Sequence, residues 1–215
     1  MPTWIKICGT TSVEDAVASV AAGADALGFI FAPSPRRISA QHARDIAAQL
    51  PDKIERVGVF MNESAEVIRS TVDHVGLTAV QLHGAETPEF IAGLFARRHH
   101  GHRIKVIKTI LADESFATAL ALFRRHRECL DSILIDSGAG SGKTFDWHKI
   151  QDQAGADSLH FILAGGLNPE NVGAAMQKFS PWGVDVVSGV ELAPGRKDPE
   201  KLNAFVAAVR KAEQQ

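Results

Sequence analysis

The chain has 215 residues, 45% apolar and 22% charged, with a formal net charge of −2. That length suits one large domain with a full core and is short for two, and the near-neutral charge excludes electrostatic recruitment to nucleic acid or an anionic membrane. No apolar run approaches the roughly 20 residues that span a bilayer, and Met1-Pro2-Thr3-Trp4-Ile5-Lys6 lacks the basic-then-apolar pattern of a signal peptide, so a cytoplasmic setting is expected. In that setting Cys8 and Cys129, far apart in sequence, are expected as free thiols rather than a disulfide.

Short β-branched runs alternate with longer helical patterns along the whole chain. The strand-like runs are 4–8, 26–31, 56–60, 79–82, 104–109, 132–136, 159–164 and 184–187. The first two are nearly continuous apolar runs, as parallel strands covered on both faces must be. Between them, Ser12 caps a run with Val13, Val17 and Val20 at helical spacing, and Gly23 ends it. Ser39 opens a helix through Leu50, stopped by Pro51, and Ser64 opens 65–75, ended by Gly76. Thr87-Pro88-Glu89 reads as N-cap, first-turn proline and acidic first turn. Asp113, Asp146 and Asn168-Pro169 look like further helix starts, and Asp198-Pro199 opens a last helix to about Lys211.

Eight strand-helix units in residues 1–215, with no linker, point to a single-domain α/β fold, a closed (β/α)8 TIM barrel. An open doubly wound sheet alternates in the same way. Two glycine turns favour the barrel. Ala164-Gly165-Gly166-Leu167-Asn168 closes the seventh strand and Val187-Ser188-Gly189-Val190-Glu191 the eighth, where barrels carry their phosphate site. Bare backbone N–H groups at such turns bind phosphate, although each turn also reads as a simple tight turn needing positive φ. His99-His100-Gly101-His102 falls before the fifth strand, on the stabilising face, and reads as a solvated loop.

Chemistry in a barrel sits at the C-terminal ends of strands. Those positions here are Cys8, Arg36, Asn62, His83, Lys108, Asp136, Gly165-Gly166 and Ser188-Gly189. Cys8 reads as a nucleophile, a general base or a small buried hydrophobe. Asp136 leaves the apolar run Ile133-Leu134-Ile135, and partial desolvation there favours the protonated form a general acid needs. It also reads as an anchor for the glycine-rich loop that follows. That loop is not a phosphate-binding P-loop, because Ser137 stands where the first glycine is required. Of Arg36 and Arg37, one is expected to face the site, where an arginine holds a carboxylate bidentately.

With these residues the chain resembles the phosphoribosylanthranilate isomerase family of tryptophan biosynthesis. The likeness runs end to end: Lys6-Ile7-Cys8-Gly9, Pro35-Arg36-Arg37-Ile38-Ser39, Val80-Gln81-Leu82-His83-Gly84, Gly142-Lys143-Thr144-Phe145-Asp146-Trp147, Leu163-Ala164-Gly165-Gly166-Leu167-Asn168-Pro169 and Ser188-Gly189-Val190-Glu191 with Lys197-Asp198. The resemblance implies an Amadori rearrangement of N-(5-phosphoribosyl)anthranilate to 1-(2-carboxyphenylamino)-1-deoxyribulose 5-phosphate. Asp136 takes the general acid's position and Cys8 the general base's. Arg36 clamps the anthranilate carboxylate, Gly165, Gly166, Ser188 and Gly189 hold the phosphate, His83 lines the site and Asp185 supports it. No cofactor or metal is implied. The small-molecule phosphoribosylanthranilate substrate is the expected partner, with no nucleic acid or membrane, and association with other tryptophan-pathway enzymes is left open.

Two departures stand out: the 137–144 loop is shorter than in many members, and Val187 stands where serine is common. The related histidine-pathway isomerase is expected to place aspartate where Cys8 stands, and indole-glycerol phosphate synthase needs a lysine/glutamate constellation absent here. A catalytically silent phosphosugar-binding barrel would need neither Cys8 nor Asp136.

Overall fold

The computed structural model describes residues 2–94, 104–137 and 159–214. In chain order these form β1 (Trp4–Cys8), α1 (Val13–Ala22), β2 (Ala26–Ile30), α2 (Ala40–Ala47), β3 (Glu55–Phe60), α3 (Ala65–Val75), β4 (Ala79–Leu82), α4 (Pro88–Leu94), β5 (Lys105–Leu111), α5 (Phe116–Arg125), β6 (Ser132–Asp136), β7 (His160–Ala164), α6 (Val172–Phe179), β8 (Gly183–Val186), β9 (Glu191–Ala193), β10 (Arg196–Lys197) and α7 (Pro199–Ala212). Strands β1 to β8 pair in sequence order, all parallel, and β8 returns to β1, which closes the barrel. The open-sheet alternative is thereby excluded.

The strands are apolar because closure buries both of their faces. Outward side chains such as Ile5, Ile7, Leu27, Phe29 and Val184 meet the helices in the larger core. A separate apolar plug fills the barrel: Trp4, Ala26, Val57, Ala79, Ile107, Leu134, Ile162 and Ala164, with Trp182 packed against it. Strand periodicity of two then carries β1 from Trp4 in the plug to Lys6 and on to Cys8 at the C-terminal mouth. Lys6 is fully buried, and its Nζ lies 2.8 Å from Oδ1 of Asp185, directly opposite it across the β1–β8 seam.

Local chemistry accounts for most helix boundaries. Ser12, Ser39 and Ser64 cap α1, α2 and α3 by accepting hydrogen bonds from Asp15, His42 and Val67 N–H, and Gly23 and Gly76 end α1 and α3 in the left-handed conformation. Asp198 caps α7, with Pro199 in its first turn. Beyond shifts of one or two residues at the ends of β2, β3, β5, β7 and β8, three helix boundaries differ from the sequence expectation. Helix α2 stops at Ala47, because Gln49 and Leu50 tighten onto Ile46 and Ala47 carbonyls before Pro51. Asp113 accepts from Ser115 N–H and Oγ–H in the turn ahead of α5, which begins at Phe116. Asn168 closes a turn on Glu170 and Asn171, so α6 starts at Val172. The hairpin β9–β10 between β8 and α7 was not foreseen. The His99-His100-Gly101-His102 cluster, the Asp146 helix start and nearly all of 137–144 lie outside the described residues.

Removing one partner of a buried ion pair leaves an uncompensated charge, which costs about 3–5 kcal/mol, whereas replacing both with apolar groups is often neutral. Lys6→Met should therefore destabilise the fold by about that amount in urea denaturation, and adding Asp185→Leu should recover most of the loss.

Candidate active site

The C-terminal ends of β1, β2, β4, β6, β7 and β8 bring the expected residues to one mouth. Cys8 ends β1 and is 3% exposed. Its neighbour on β2 has to be glycine, since a Cβ on Gly28 would stand 2.5 Å from Cys8 Sγ. Burial pushes the Cys8 thiol up from its ordinary range, against the ammonium groups of Lys6 and Lys197. Lys6 in turn stays above the ordinary lysine range, because Asp185 and Cys8 together outweigh the effect of its burial.

Asp136 ends β6 with its carboxylate partly exposed, and Oδ2 lies 4.0 Å from His83 Nε2. His83 follows β4, and its backbone N–H donates to Phe60 O. Burial lowers the His83 pKa, outweighing the pull of Asp136, and Lys108 pushes the same way. Gly165 packs against this carboxyl: it has φ of 89°, and a Cβ there would stand 2.6 Å from Asp136 Oδ1 and overlap Ser137.

The two glycine turns touch. Gly165 and Gly166 both have positive φ, while Gly189 lies in the short 3-10 turn Ser188–Val190 and has no room for a side chain, since a Cβ would overlap Leu167 O and sit 2.9 Å from Asn168 Cα. The positive-φ reading holds at Gly165 and Gly166, whereas Gly189 is glycine because the neighbouring backbone approaches too closely for a side chain. Gly166 and Ser188 are exposed at its surface.

Arg36 faces the mouth and Arg37 is exposed. The Arg36 stem lies over Gly9, whose φ is 75° and where a Cβ would stand 2.7 Å from Arg36 Cδ. Its Nε and Nη2 donate to the Glu191 carboxylate at 2.8 and 2.6 Å. Among the described residues, the Nη1/Nη2 edge of the guanidinium is the one left for a ligand. Glu191 also accepts from Lys197 Nζ at 3.1 Å. Burial alone would raise the Glu191 carboxyl, but Arg36 and Lys197 hold it below the usual carboxylate range.

Asn62 and Lys108, also picked out as strand-end residues, serve the scaffold. Asn62 adopts φ of 53° and accepts from Ala85 N–H. Lys108 pairs with Glu86 at 3.0 Å and donates to Leu82 and Gly84 carbonyls. Sequence reasoning missed Lys6, Glu191 and Lys197 as members of the site. Lys6 carried a further signal, a lone charge inside the apolar run 4–8; Glu191 and Lys197 entered only as parts of the family-like motifs, with no role assigned, because the partners that reveal their roles are Arg36 and Cys8, distant in sequence. Among the described residues no group of three or more His, Cys, Asp or Glu side chains is arranged to hold a metal ion.

A single-domain (β/α)8 barrel with ionisable side chains and a glycine cradle gathered at its C-terminal mouth belongs to the class of barrels whose chemistry sits there. Comparison narrows that class. The model of the N-(5'phosphoribosyl)anthranilate (PRA) isomerase family matches residues 5–208. The N-(5'-phosphoribosyl)anthranilate isomerase of Pelobacter propionicus is 43% identical over 204 residues, 94% of this chain and 93% of the relative. The crystal structure of phosphoribosyl anthranilate isomerase from Thermotoga maritima superposes with a TM-score of 0.85 at 42% identity, covering 97% of this chain and 99% of that one. A phosphoribosyl anthranilate isomerase solved in complex with reduced 1-(o-carboxyphenylamino)-1-deoxyribulose 5-phosphate superposes with a TM-score of 0.84 at 40% identity, over 97% and 99% of the two chains. The chain belongs to the N-(5'-phosphoribosyl)anthranilate isomerase family.

Gly165→Ala should impose a left-handed conformation costing about 1–2 kcal/mol and displace Asp136. Turnover is expected to fall by about 100-fold while thermal denaturation shows a folded protein.

Proposed function

We propose that the protein isomerises N-(5'-phosphoribosyl)anthranilate to 1-(2-carboxyphenylamino)-1-deoxyribulose 5-phosphate, with Asp136 as general acid and Cys8 as general base. The observation that carries the reading is the Cys8 thiol and the Asp136 carboxyl at the same mouth as the Gly165-Gly166 and Ser188-Gly189 turns, in a chain 40% identical to an isomerase solved with the reduced product.

The chemistry follows from these groups. Asp136 gives a proton to the ribose ring oxygen as the bond from that oxygen to C1 breaks, and the anilino nitrogen supplies the electron pair that makes an iminium. The iminium acidifies the C–H at C2, so a modest base suffices, and Cys8 sulfur takes that proton to leave an enolamine. Loss of the enol proton and protonation at C1 complete the ketone, and proton exchange with solvent resets the pair. Backbone N–H groups of the two glycine turns hold the phosphate, and the Nη1/Nη2 edge of Arg36 holds the anthranilate carboxylate. Anchoring both ends of the substrate fixes the reacting carbons between the acid and the base, and that remote binding lowers the entropic part of the barrier. His83, beside Asp136, lines the reacting region. The proposal extends to a cytoplasmic enzyme working with others of tryptophan biosynthesis.

The test follows the loss of anthranilate-type fluorescence from freshly made substrate. Wild type should turn over, and Cys8→Ala and Asp136→Asn should each lower kcat by about 10²–10⁴-fold, the usual worth of general acid–base catalysis. Equal rates above background in wild type and Asp136→Asn would remove Asp136 from the mechanism. A silent phosphosugar-binding barrel would bind the phosphorylated substrate without turnover. Because burial raises the Cys8 thiol and the base must be deprotonated, activity on its Cys8-dependent limb should rise with pH from neutral into the alkaline range.

A further inference from the structure

Lys197 is a buried ammonium that the mechanism above does not use. It is 2% exposed and stands in β10, nearly the full chain length from β1. An ammonium has three N–H donors, and Lys197 Nζ makes three contacts: Cys8 O at 2.6 Å, Val187 O at 3.2 Å and Glu191 Oε1 at 3.1 Å. It therefore ties the end of β1, the end of β8 and the β9–β10 hairpin at one point. Glu191 transmits the tie to Arg36 through the Nε/Nη2 edge.

Charge makes the arrangement specific. Arg36 and Glu191 alone would be a neutral pair, with little attraction left for an incoming carboxylate. Lys197 adds a second cation on the same carboxylate, so the trio keeps one net positive charge beside the open Arg36 edge. Surrounding a desolvated carboxylate with two paired cations in a dry site also makes each electrostatic contact stronger than it would be in water.

We propose that Lys197 is a positioning residue for substrate recognition: through Glu191 and Cys8 O it locks the Arg36 clamp to the base-bearing end of β1 and gives the Arg36–Glu191–Lys197 trio the net positive charge that the substrate carboxylate neutralises. This rests on the isomerase reading above. Burial pushes the Lys197 ammonium down, against Glu191 and Cys8, and the close contact with Glu191 keeps it paired.

The experiment compares N-(5'-phosphoribosyl)anthranilate with N-(5'-phosphoribosyl)aniline, which lacks the carboxylate, in wild type and Lys197→Met. Thermal denaturation checks the fold, and Lys197→Gln, which keeps a donor without the charge, replaces the methionine variant if that variant does not fold. Lys197→Met should lose about 100-fold in kcat/KM on the anthranilate substrate and at least about 10-fold less on the aniline substrate, so that preference for the carboxylate collapses. The pH profile supplies a readout that a purely structural role would not move. The charges facing Cys8 are Lys6, Asp185, Lys197 and Arg36. Removing the positive charge of Lys197 should move the alkaline limb to higher pH. Equal losses on the two substrates with an unmoved limb, in an active wild type, would overturn the inference alone. A wild type that does not isomerise the anthranilate substrate would overturn the isomerase reading and this inference with it.

Discussion

Closure of the sheet between β1 and β8 is the constraint from which the rest follows. A parallel sheet loses its exposed edges only when the last strand returns to the first. Here Trp4 meets Gly183, Ile5 meets Val184 and Lys6 meets Asp185. The approach is close at the bottom, where a Cβ on Gly183 would stand 2.9 Å from the Trp4 ring. One turn of the pleat higher, it sets a lysine against an aspartate inside the barrel, where neither charge survives without the other. Cys8 sits above that pair, so its electrostatic surroundings are fixed by the same pairing that shuts the barrel.

The mouth is held by two buried ion-pair systems built alike. On the β1–β8 side, Lys197 and Glu191 gather Cys8 O, Val187 O and Arg36. On the β3–β5 side, Lys108 and Glu86 gather Leu82 O, Gly84 O and the Asn62 and Gly84 N–H groups. In each, a lysine on one strand or hairpin satisfies carbonyls at the ends of its neighbours, while a glutamate takes backbone N–H groups or a guanidinium from the adjoining loop. Strand ends carry unpaired backbone groups by necessity, and buried ones must find partners. These pairs provide them and stiffen the platform on which Cys8, Arg36 and His83 stand.

Much of this was legible beforehand, for reasons that differ by element. β1, β4 and β6 had their observed bounds because an apolar run flanked by turn residues ends where burial ends. α1 and α3 were legible at both ends because a serine cap and a left-handed glycine are local devices whose partners lie within a few residues. The start of α6 was misread because Asn168 makes a turn before a helix, and Asn and Asp side chains suit both equally. The β9–β10 hairpin has strands too short for alternation to register. Among site residues, Cys8, Arg36, His83, Asp136 and the glycine turns stood out because a barrel places chemistry at strand ends, which a count of strands locates.

The sequence by itself determined the eight barrel strands, the caps of most helices described between them and the strand-end residues delivered to one mouth, because periodicity, capping and glycine conformation act over a few neighbouring residues. Only the tertiary structure decided that the sheet closes, that Lys6 lies against Asp185 across 179 residues of chain, and that Lys197 reaches the carbonyl of Cys8 across 189. Those contacts carry the electrostatics of the site. Nothing local specifies them, since a buried charge takes whichever partner the folded chain brings within hydrogen-bond reach.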